Sequence, residues 1–129
     1  MTEIKVNGSP FTDNVAGAIR IEAPEFTHIA PEGIHPHMAR ITVEYVPRET
    51  TLDGDSVGEY FISFRNEMMT PETAVQKICD ELATACSPMM LNVTSNYAPR
   101  YGVAASPQAR FVHPDAQQKQ QGPRIVAPH

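Results

Sequence analysis

The spacing of apolar residues changes its period twice along the chain, and this limits the chain to a mixed fold. Residues 38–46 alternate apolar and polar side chains, which is typical of a strand with one buried face. Residues 57–64 carry apolar side chains three and four positions apart, which indicates one face of a helix. Residues 90–97 return to alternation. Strands and helices in separate blocks predict the α+β class.

Prolines and turn residues set the predicted limits of the strands. A first strand is predicted at 15–22, and a proline-punctuated connection follows at 24–36. The clearest strand is 38–46, and two more are predicted at 90–97 and 103–112. The simplest arrangement is two antiparallel hairpins in one four-stranded sheet. Because such a sheet leaves two open edges, we expect copies of the chain to close them in a ring-like homo-oligomer.

Capping residues define the two predicted helices. Ser56 is a candidate N-cap for the first helix at 57–64. The second helix is predicted to begin at Thr70-Pro71, with threonine as the N-cap and proline at the first helical position. Ser87-Pro88 ends it. The two helices therefore lie between the two pairs of strands.

Length and charge restrict the classes of function. With 129 residues the chain has room for one domain, predicted at 15–112, between a loose arm at 1–14 and a disordered tail at 113–129. A net charge of −5 argues against general nucleic-acid binding, so nucleic acid is expected only as a carrier of a substrate base. No apolar run reaches the length of a membrane span and no signal peptide is visible, which predicts a cytoplasmic protein.

Five short features, in order, resemble the 7-cyano-7-deazaguanine reductases of queuosine biosynthesis, which have the tunnelling fold. They are IEAPEFT at 21–27, ARITVEYVP at 39–47, SFRN at 63–66, Glu72, and APRYG at 98–102. The resemblance implies a ββααββ subunit with the tunnelling fold. It also implies a homo-oligomer whose sites lie between subunits and bind a purine-like base.

The same resemblance exposes departures at the catalytic positions. In that family a cysteine attacks the nitrile, an aspartate donates a proton and NADPH supplies hydride. The matching positions here are Ala30 for the cysteine and His37 for the aspartate. Asp55 replaces a lysine that helps to hold the cofactor, and a carboxylate repels phosphate. We therefore expect neither thiol-dependent nitrile reduction nor use of NADPH. The two cysteines, Cys79 and Cys86, fall on the inner face of the second helix instead.

Glu72 retains the part of the family pattern that recognises a base. The resemblance implies that its carboxylate accepts hydrogen bonds from the amino and ring N–H groups of a guanine-like ring. Asp53 and Ser56, at the ends of the segment that matches the family's ESKS-like string, are assigned with Glu72 to substrate binding. An alternative is that Glu72 is a first-turn glutamate favoured by the helix dipole alone.

Three histidines, His28, His35 and His37, lie within ten residues and allow two interpretations. Alternation along a strand puts His35 and His37 on one side, so that His28 could complete a zinc site with three imidazole ligands. A zinc-bound water could then act on a nitrile without a cysteine. Alternatively the three are ordinary loop histidines. If the protein is an enzyme, His37 and His28 are the candidate catalytic residues.

Two functions therefore stay open. The first is an enzyme of 7-deazapurine metabolism that binds a 7-cyano-7-deazaguanine-like base through Glu72. It would convert the nitrile to an amidine or amide by a cysteine-independent mechanism. The second is a non-catalytic protein that binds a purine or pterin, or a purely structural oligomer. Loss of the nucleophile and of the cofactor lysine is compatible with both.

Overall fold

A computed structural model describes residues 3–12 and 14–119 of the chain. The part of the predicted tail at 120–129 lies outside these residues. Nine elements follow in chain order: β1 (Val6–Gly8), β2 (Ile19–Ile29), β3 (Pro36–Val46), β4 (Thr50–Leu52), α1 (Gly54–Ile62), α2 (Pro71–Cys86), β5 (Met90–Tyr97), β6 (Gln108–Val112) and α3 (Pro114–Lys119). No helix within the described residues has the length and apolar character that a membrane crossing requires.

Four of the strands form one antiparallel sheet in the order β2-β3-β5-β6. The prediction of an α+β subunit built from two hairpins around a helical pair is confirmed. α1 packs against β2, and α2 packs against β5 and β6, on the same face of the sheet. The opposite face carries exposed polar residues such as Glu44 and Arg110. In this subunit β2 and β6 are the edge strands.

β2 is longer than the sequence predicts, because the strand continues past Pro24 to Ile29. Its pairing with β3 shifts between Ala23 and Phe26, where one extra residue is accommodated as a β-bulge. A proline is tolerated there because β2 is an edge strand and the bulge interrupts its ladder. The prediction that residues 24–36 form a connection was therefore wrong for 24–29, and it was also wrong for Pro36, which begins β3.

The bulge also changes which side chains of β2 face the helices. Before it, Ile21 and Ala23 lie opposite Val43 and Ile41 and pack against the core. After it, the even-numbered side chains point inward, because one inserted residue inverts the alternation of a strand. Phe26 is 2% exposed, and the next even-numbered residue of β2, His28, also faces the core.

The second helix has the predicted start. Thr70 is its N-cap, and the Thr70 side chain accepts a hydrogen bond from the backbone N–H of Thr73. Ser87 closes the helix in a left-handed conformation, at φ 43°. For α1 the candidate cap was wrong: Asp53 is the N-cap, and its carboxylate accepts from the backbone N–H of Ser56. Aspartate is as good an N-cap as serine, and it stands where the extended chain turns into the helix.

The last strand is shorter than predicted, since β6 begins at Gln108 rather than at Val103. Pro107 has no backbone N–H to donate, and the chain before it turns back on itself, where Arg100 and Val103 exchange two backbone hydrogen bonds. The turn uses positive φ angles at Tyr101 and Gly102.

Short elements occur in both segments that flank the predicted domain. Within the expected arm, β1 pairs with β4, so that Val6 lies opposite Leu52. Within the expected tail, α3 covers residues 114–119. The mobility of the arm and the tail in solution stays a prediction.

The core lies between the helices and the inward face of the sheet. Tyr60, Phe64, Ile78, Leu82 and Leu91 are fully buried within it. Within α2, the residues Ile78, Cys79 and Leu82 belong to this continuous apolar layer.

Replacing Ile78 by alanine should lower the free energy of unfolding by about 2–5 kcal/mol, because it removes buried methyl groups and leaves a cavity. The matched control, Gln76→Ala on the exposed side of the same helix, should change it by less than about 0.5 kcal/mol. Urea denaturation of both variants measures the difference. Equal losses in the two variants would contradict the packing described for α2.

Candidate functional site

The helix-facing side of the sheet ends in a row of polar aromatic side chains. His28 on β2 and His37 on β3 lie opposite each other in the register, and Tyr97 on β5 lies opposite Ala39. The His28 and His37 rings are 5.2 Å apart, and the Tyr97 ring is 5.6 Å from His28 and 5.8 Å from His37. We call these three residues the aromatic triad.

Both ring nitrogens of His28 have partners inside the protein. The Tyr97 hydroxyl lies 2.8 Å from Nε2, and the backbone carbonyl of Ile29 lies 3.3 Å from Nδ1. A carbonyl can only accept, so Nδ1 carries the proton and Nε2 accepts from the tyrosine. Burial lowers the pKa of His28, with a smaller contribution from His37. A neutral, fully buried imidazole with both nitrogens engaged can hold its neighbours in place.

His37 contacts a cation instead of a hydroxyl. An Nη of Arg100 lies 3.2 Å from Nε2 of His37. Burial lowers the pKa of His37, and the positive charge of Arg100 adds to this effect. The carboxylates of Glu32 and Glu72 act in the opposite direction but do not reverse it. The neutral imidazole is therefore favoured.

Glu72 is brought to this end of the sheet by the segment that precedes α2. The backbone of Ile29 exchanges two hydrogen bonds with this segment, one with the carbonyl of Glu67 and one with the N–H of Met69. Glu72 follows in the first turn of α2 with an exposed side chain. Its charge acts on both His37 and Tyr97; the pKa of Tyr97 is raised, mainly by burial and further by Glu72. An accessible carboxylate thus stands beside the aromatic triad.

His35 does not join the other two histidines, so the predicted zinc site was wrong. It lies before β3 in the turn, where its ring pairs with Glu32 at 3.3 Å. Its backbone carbonyl accepts from the N–H of Ala30, which tightens the turn around that residue. Among the described residues no three side chains of His, Cys, Asp or Glu come together as metal ligands. β3 begins at the proline between His35 and His37, so His35 lies outside the strand. The strand alternation that was expected to put both side chains on one side therefore does not apply to His35.

Asp53 and Ser56 lie at the other end of the sheet from Glu72. Their neighbour Leu52 donates its backbone N–H to the hydroxyl of Tyr45. Tyr45 and His37 are eight positions apart on β3, which corresponds to roughly 26 Å at about 3.3 Å per residue. The Asp53 carboxylate caps α1, and the Ser56 hydroxyl bonds to backbone groups of Lys5 and Asp53. A role for them in binding substrate beside Glu72 would need a second subunit, and it stays a prediction.

The position that the sequence resemblance matches to the family's nucleophile is sealed inside the protein. Ala30 directly follows β2 and is 0% exposed. The two cysteines of the chain lie on the buried face of α2, and burial raises the pKa of both thiols, to about 11 for Cys86. Neither thiol is therefore a nucleophile near neutral pH.

A separate groove of about 260 Å³ runs between β2 and α1. Phe26 and Phe61 are part of its lining, and Glu22, Glu25 and Arg65 supply its charges. One cation beside two carboxylates does not make a phosphate site within one subunit, so we assign no cofactor contact to this groove.

Two residues of the site were missed as functional residues by the reasoning from sequence. Tyr97 is the last inward position of β5, in line with Leu91 and Val93, and this alternation could have placed it beside the histidines. Arg100 lies in a turn, where no periodic pattern of residues predicts which side chain it contacts. Its contact with His37 joins residues 63 positions apart.

Comparisons with known proteins identify relatives of this chain. The family model described as QueF-like protein matches residues 36–116. The NADPH-dependent 7-cyano-7-deazaguanine reductase of Anaeromyxobacter sp. (strain K) is 37% identical over 92 residues, which cover 71% of this chain and 75% of the relative. The protein of the same name from Elusimicrobium minutum (strain Pei191) is 33% identical over 93 residues, 72% of this chain and 70% of the relative.

A solved structure matches the architecture. The crystal structure of the archaeosine synthase QueF-Like in the apo form aligns with a TM-score of 0.67 and 19% sequence identity. The alignment covers 72% of this chain and 91% of the other. At that identity the match bears on the fold, and it supports the predicted subunit of the tunnelling type.

The named relatives overturn the expectation against NADPH. They are NADPH-dependent reductases, so the cofactor that the family points to is NADPH. The expectation relied on Asp55, which the structure places in the first turn of α1. A carboxylate there is favoured by the helix dipole. Asp55 thus has a structural reason to stand at this position, and its carboxylate does not show whether or how a cofactor binds.

The buried histidines should make stability depend on pH. Folded His28 and His37 have pKa values below the ordinary 6.5, so the unfolded chain takes up protons first as the pH falls. The free energy of unfolding should therefore decrease as the pH drops below about 6.5. Urea denaturation from pH 7.5 to 5 measures this slope. His28→Gln should flatten it, because the substitution removes one of the two groups with a lowered pKa; an unchanged slope in this variant would contradict the assignment.

Proposed function

This chain belongs to the QueF-like protein family, and from that membership we propose that it binds a 7-cyano-7-deazaguanine-like base through Glu72. The observation that carries the proposal is an exposed carboxylate at the start of α2, beside His37 and Tyr97. Its relatives are named for action on 7-cyano-7-deazaguanine, which supplies the ligand class.

A carboxylate suits the proposed ligand because of its hydrogen-bonding geometry. A guanine-like ring presents an amino group and a ring N–H side by side, and the two oxygens of a carboxylate accept both. The aromatic triad would then border the ring.

We propose further that the nitrile of the base is converted to an amide or an amidine without a protein thiol. Addition of water across the C≡N bond gives the amide, and addition of ammonia gives the amidine. Ala30 cannot form a covalent adduct, and both cysteines are buried in α2. His37, the accessible member of the triad, is the residue assigned to the reacting group, and His28 supports its ring.

The proposed site lies on the surface of one subunit, and we propose that a second copy completes it. Glu72 is exposed, and among residues 3–12 and 14–119 no further strand lies beside the edge strands β2 and β6. A homo-oligomer in the cytoplasm, with its sites between subunits, is the arrangement that we propose. The second candidate function, binding without catalysis, rests on Ala30 and is separated from the first by the product analysis below.

Glu72→Gln should weaken binding of 7-cyano-7-deazaguanine by about 10- to 100-fold. The amide is uncharged, and its NH2 group would face one of the two N–H groups of the ligand instead of accepting from it. Isothermal titration calorimetry measures the loss. Glu44→Gln, on the exposed polar face of the sheet, is the matched control and should bind like the wild type. No binding by the wild type would reject the proposed ligand.

Turnover should survive removal of both thiols. In the Cys79→Ala/Cys86→Ala variant, product formation from 7-cyano-7-deazaguanine should stay within about twofold of the wild type, because neither buried thiol takes part in the proposed reaction. Mass spectrometry of the small molecules identifies an amide or an amidine. The assay is run with and without NADPH, because the relatives depend on it. Binding with no product in either arm would favour the non-catalytic function, and the reduced amine as product would contradict the proposed reaction.

A further inference from the structure

Resting on the proposed function, we infer that Arg100 fixes His37 as a hydrogen-bond donor, so that the site selects ligands with an acceptor at that position. His37 would then be a specificity-determining residue that touches the ligand. Arg100, which acts through His37, would be a positioning residue.

The chemistry of the Arg100–His37 contact determines the tautomer of His37. A guanidinium has five N–H donors and no acceptor. At 3.2 Å from its Nη, Nε2 of His37 can make a hydrogen bond only with an unshared pair, so it carries no proton. A neutral imidazole holds its one proton on the other nitrogen. His37 is therefore the tautomer with Nδ1–H.

The Nδ1–H donor of His37 is accessible to a ligand. His37 has Arg100 as its hydrogen-bond partner, and no partner for Nδ1 occurs among the described residues. Every buried side-chain nitrogen or oxygen atom among those residues has a partner. Nδ1 of this half-buried residue is therefore not sealed in the core, and its N–H is open to a ligand.

The contacts of the His37 ring set the direction of this donor, and a donor discriminates between ligands only when its direction is set. The His37 ring contacts the rings of His28 and Tyr97, which are joined by a hydrogen bond of 2.8 Å. Arg100 is held from the other side by backbone bonds of its turn and by the Tyr101 ring at 5.6 Å. His37 thus lies between the hydrogen-bonded His28–Tyr97 pair and the Arg100 guanidinium.

Together, Glu72 and His37 present opposite halves of a hydrogen-bonding pattern. Glu72 offers acceptors, and His37 offers one donor. A base that binds to Glu72 but has no acceptor for His37 leaves the His37 N–H without a partner, which lowers the affinity for that base. The residue type at position 37 thereby becomes a filter on the ligand, a role that differs from proton transfer.

The tautomer is tested in the free protein by ¹⁵N NMR of the imidazole rings, with the His37 signals assigned by their loss in His37→Asn. We expect a protonated Nδ1 and an unprotonated Nε2. Arg100→Met should shift the two signals toward each other as both tautomers become populated, and Arg100→Gln, which keeps an N–H donor, should restore the wild-type spectrum. Arg110→Met, whose arginine bonds to Asn92 on the open face, is the control.

Binding of 7-cyano-7-deazaguanine tests the consequence for the ligand. His37→Leu should bind about tenfold more weakly, and His37→Asn, whose amide N–H replaces Nδ1–H, should stay within about threefold of the wild type. A protonated Nε2 in the wild type, or equal binding by these two variants, overturns the inference. Absence of binding by the wild type overturns the proposed function and the ligand filter, while the NMR result still decides how Arg100 acts on His37.

Discussion

The single extra residue between Ala23 and Phe26 in β2 determines which side chains meet at the candidate site. Without this bulge, the alternation that points Ile21 toward the helices would point His28 toward the opposite face. With it, His28 turns inward opposite His37 and can reach the Tyr97 hydroxyl. The polar end of an otherwise apolar face is thus a consequence of strand geometry, and the aromatic triad exists because of it.

A second connection places the carboxylate beside this triad. The two backbone hydrogen bonds of Ile29 hold the segment before α2 against the end of β2. Thr70 and Pro71 then start the helix at a defined position, which presents Glu72 in its first turn. An acceptor on a helix and a donor on a strand are in this way brought together by main-chain bonds, which tolerate changes of side chain.

Local patterns predicted those parts of the molecule that depend on local chemistry. The N-cap and first proline of α2 were read correctly, and so was strand 90–97, because capping and alternation act within a few residues. Pro24 caused the wrong prediction for the end of β2. Whether a strand tolerates a proline depends on whether that strand lies at the edge of a sheet, and the local sequence does not show this. The zinc hypothesis was wrong because it placed His35 on the strand, whereas His35 lies in the turn before it.

What the sequence by itself determined is the α+β class, the place of Glu72 at a helix start and the absence of a thiol at Ala30, all of which follow from residue type and spacing. Only the tertiary structure decided that His28 and His37 face each other, that Arg100 reaches His37, and that Asp53 and Ser56 serve a cap far from Glu72. Those relations join residues distant in the chain through strand register and turns. No local pattern encodes them, because they depend on how the elements pack.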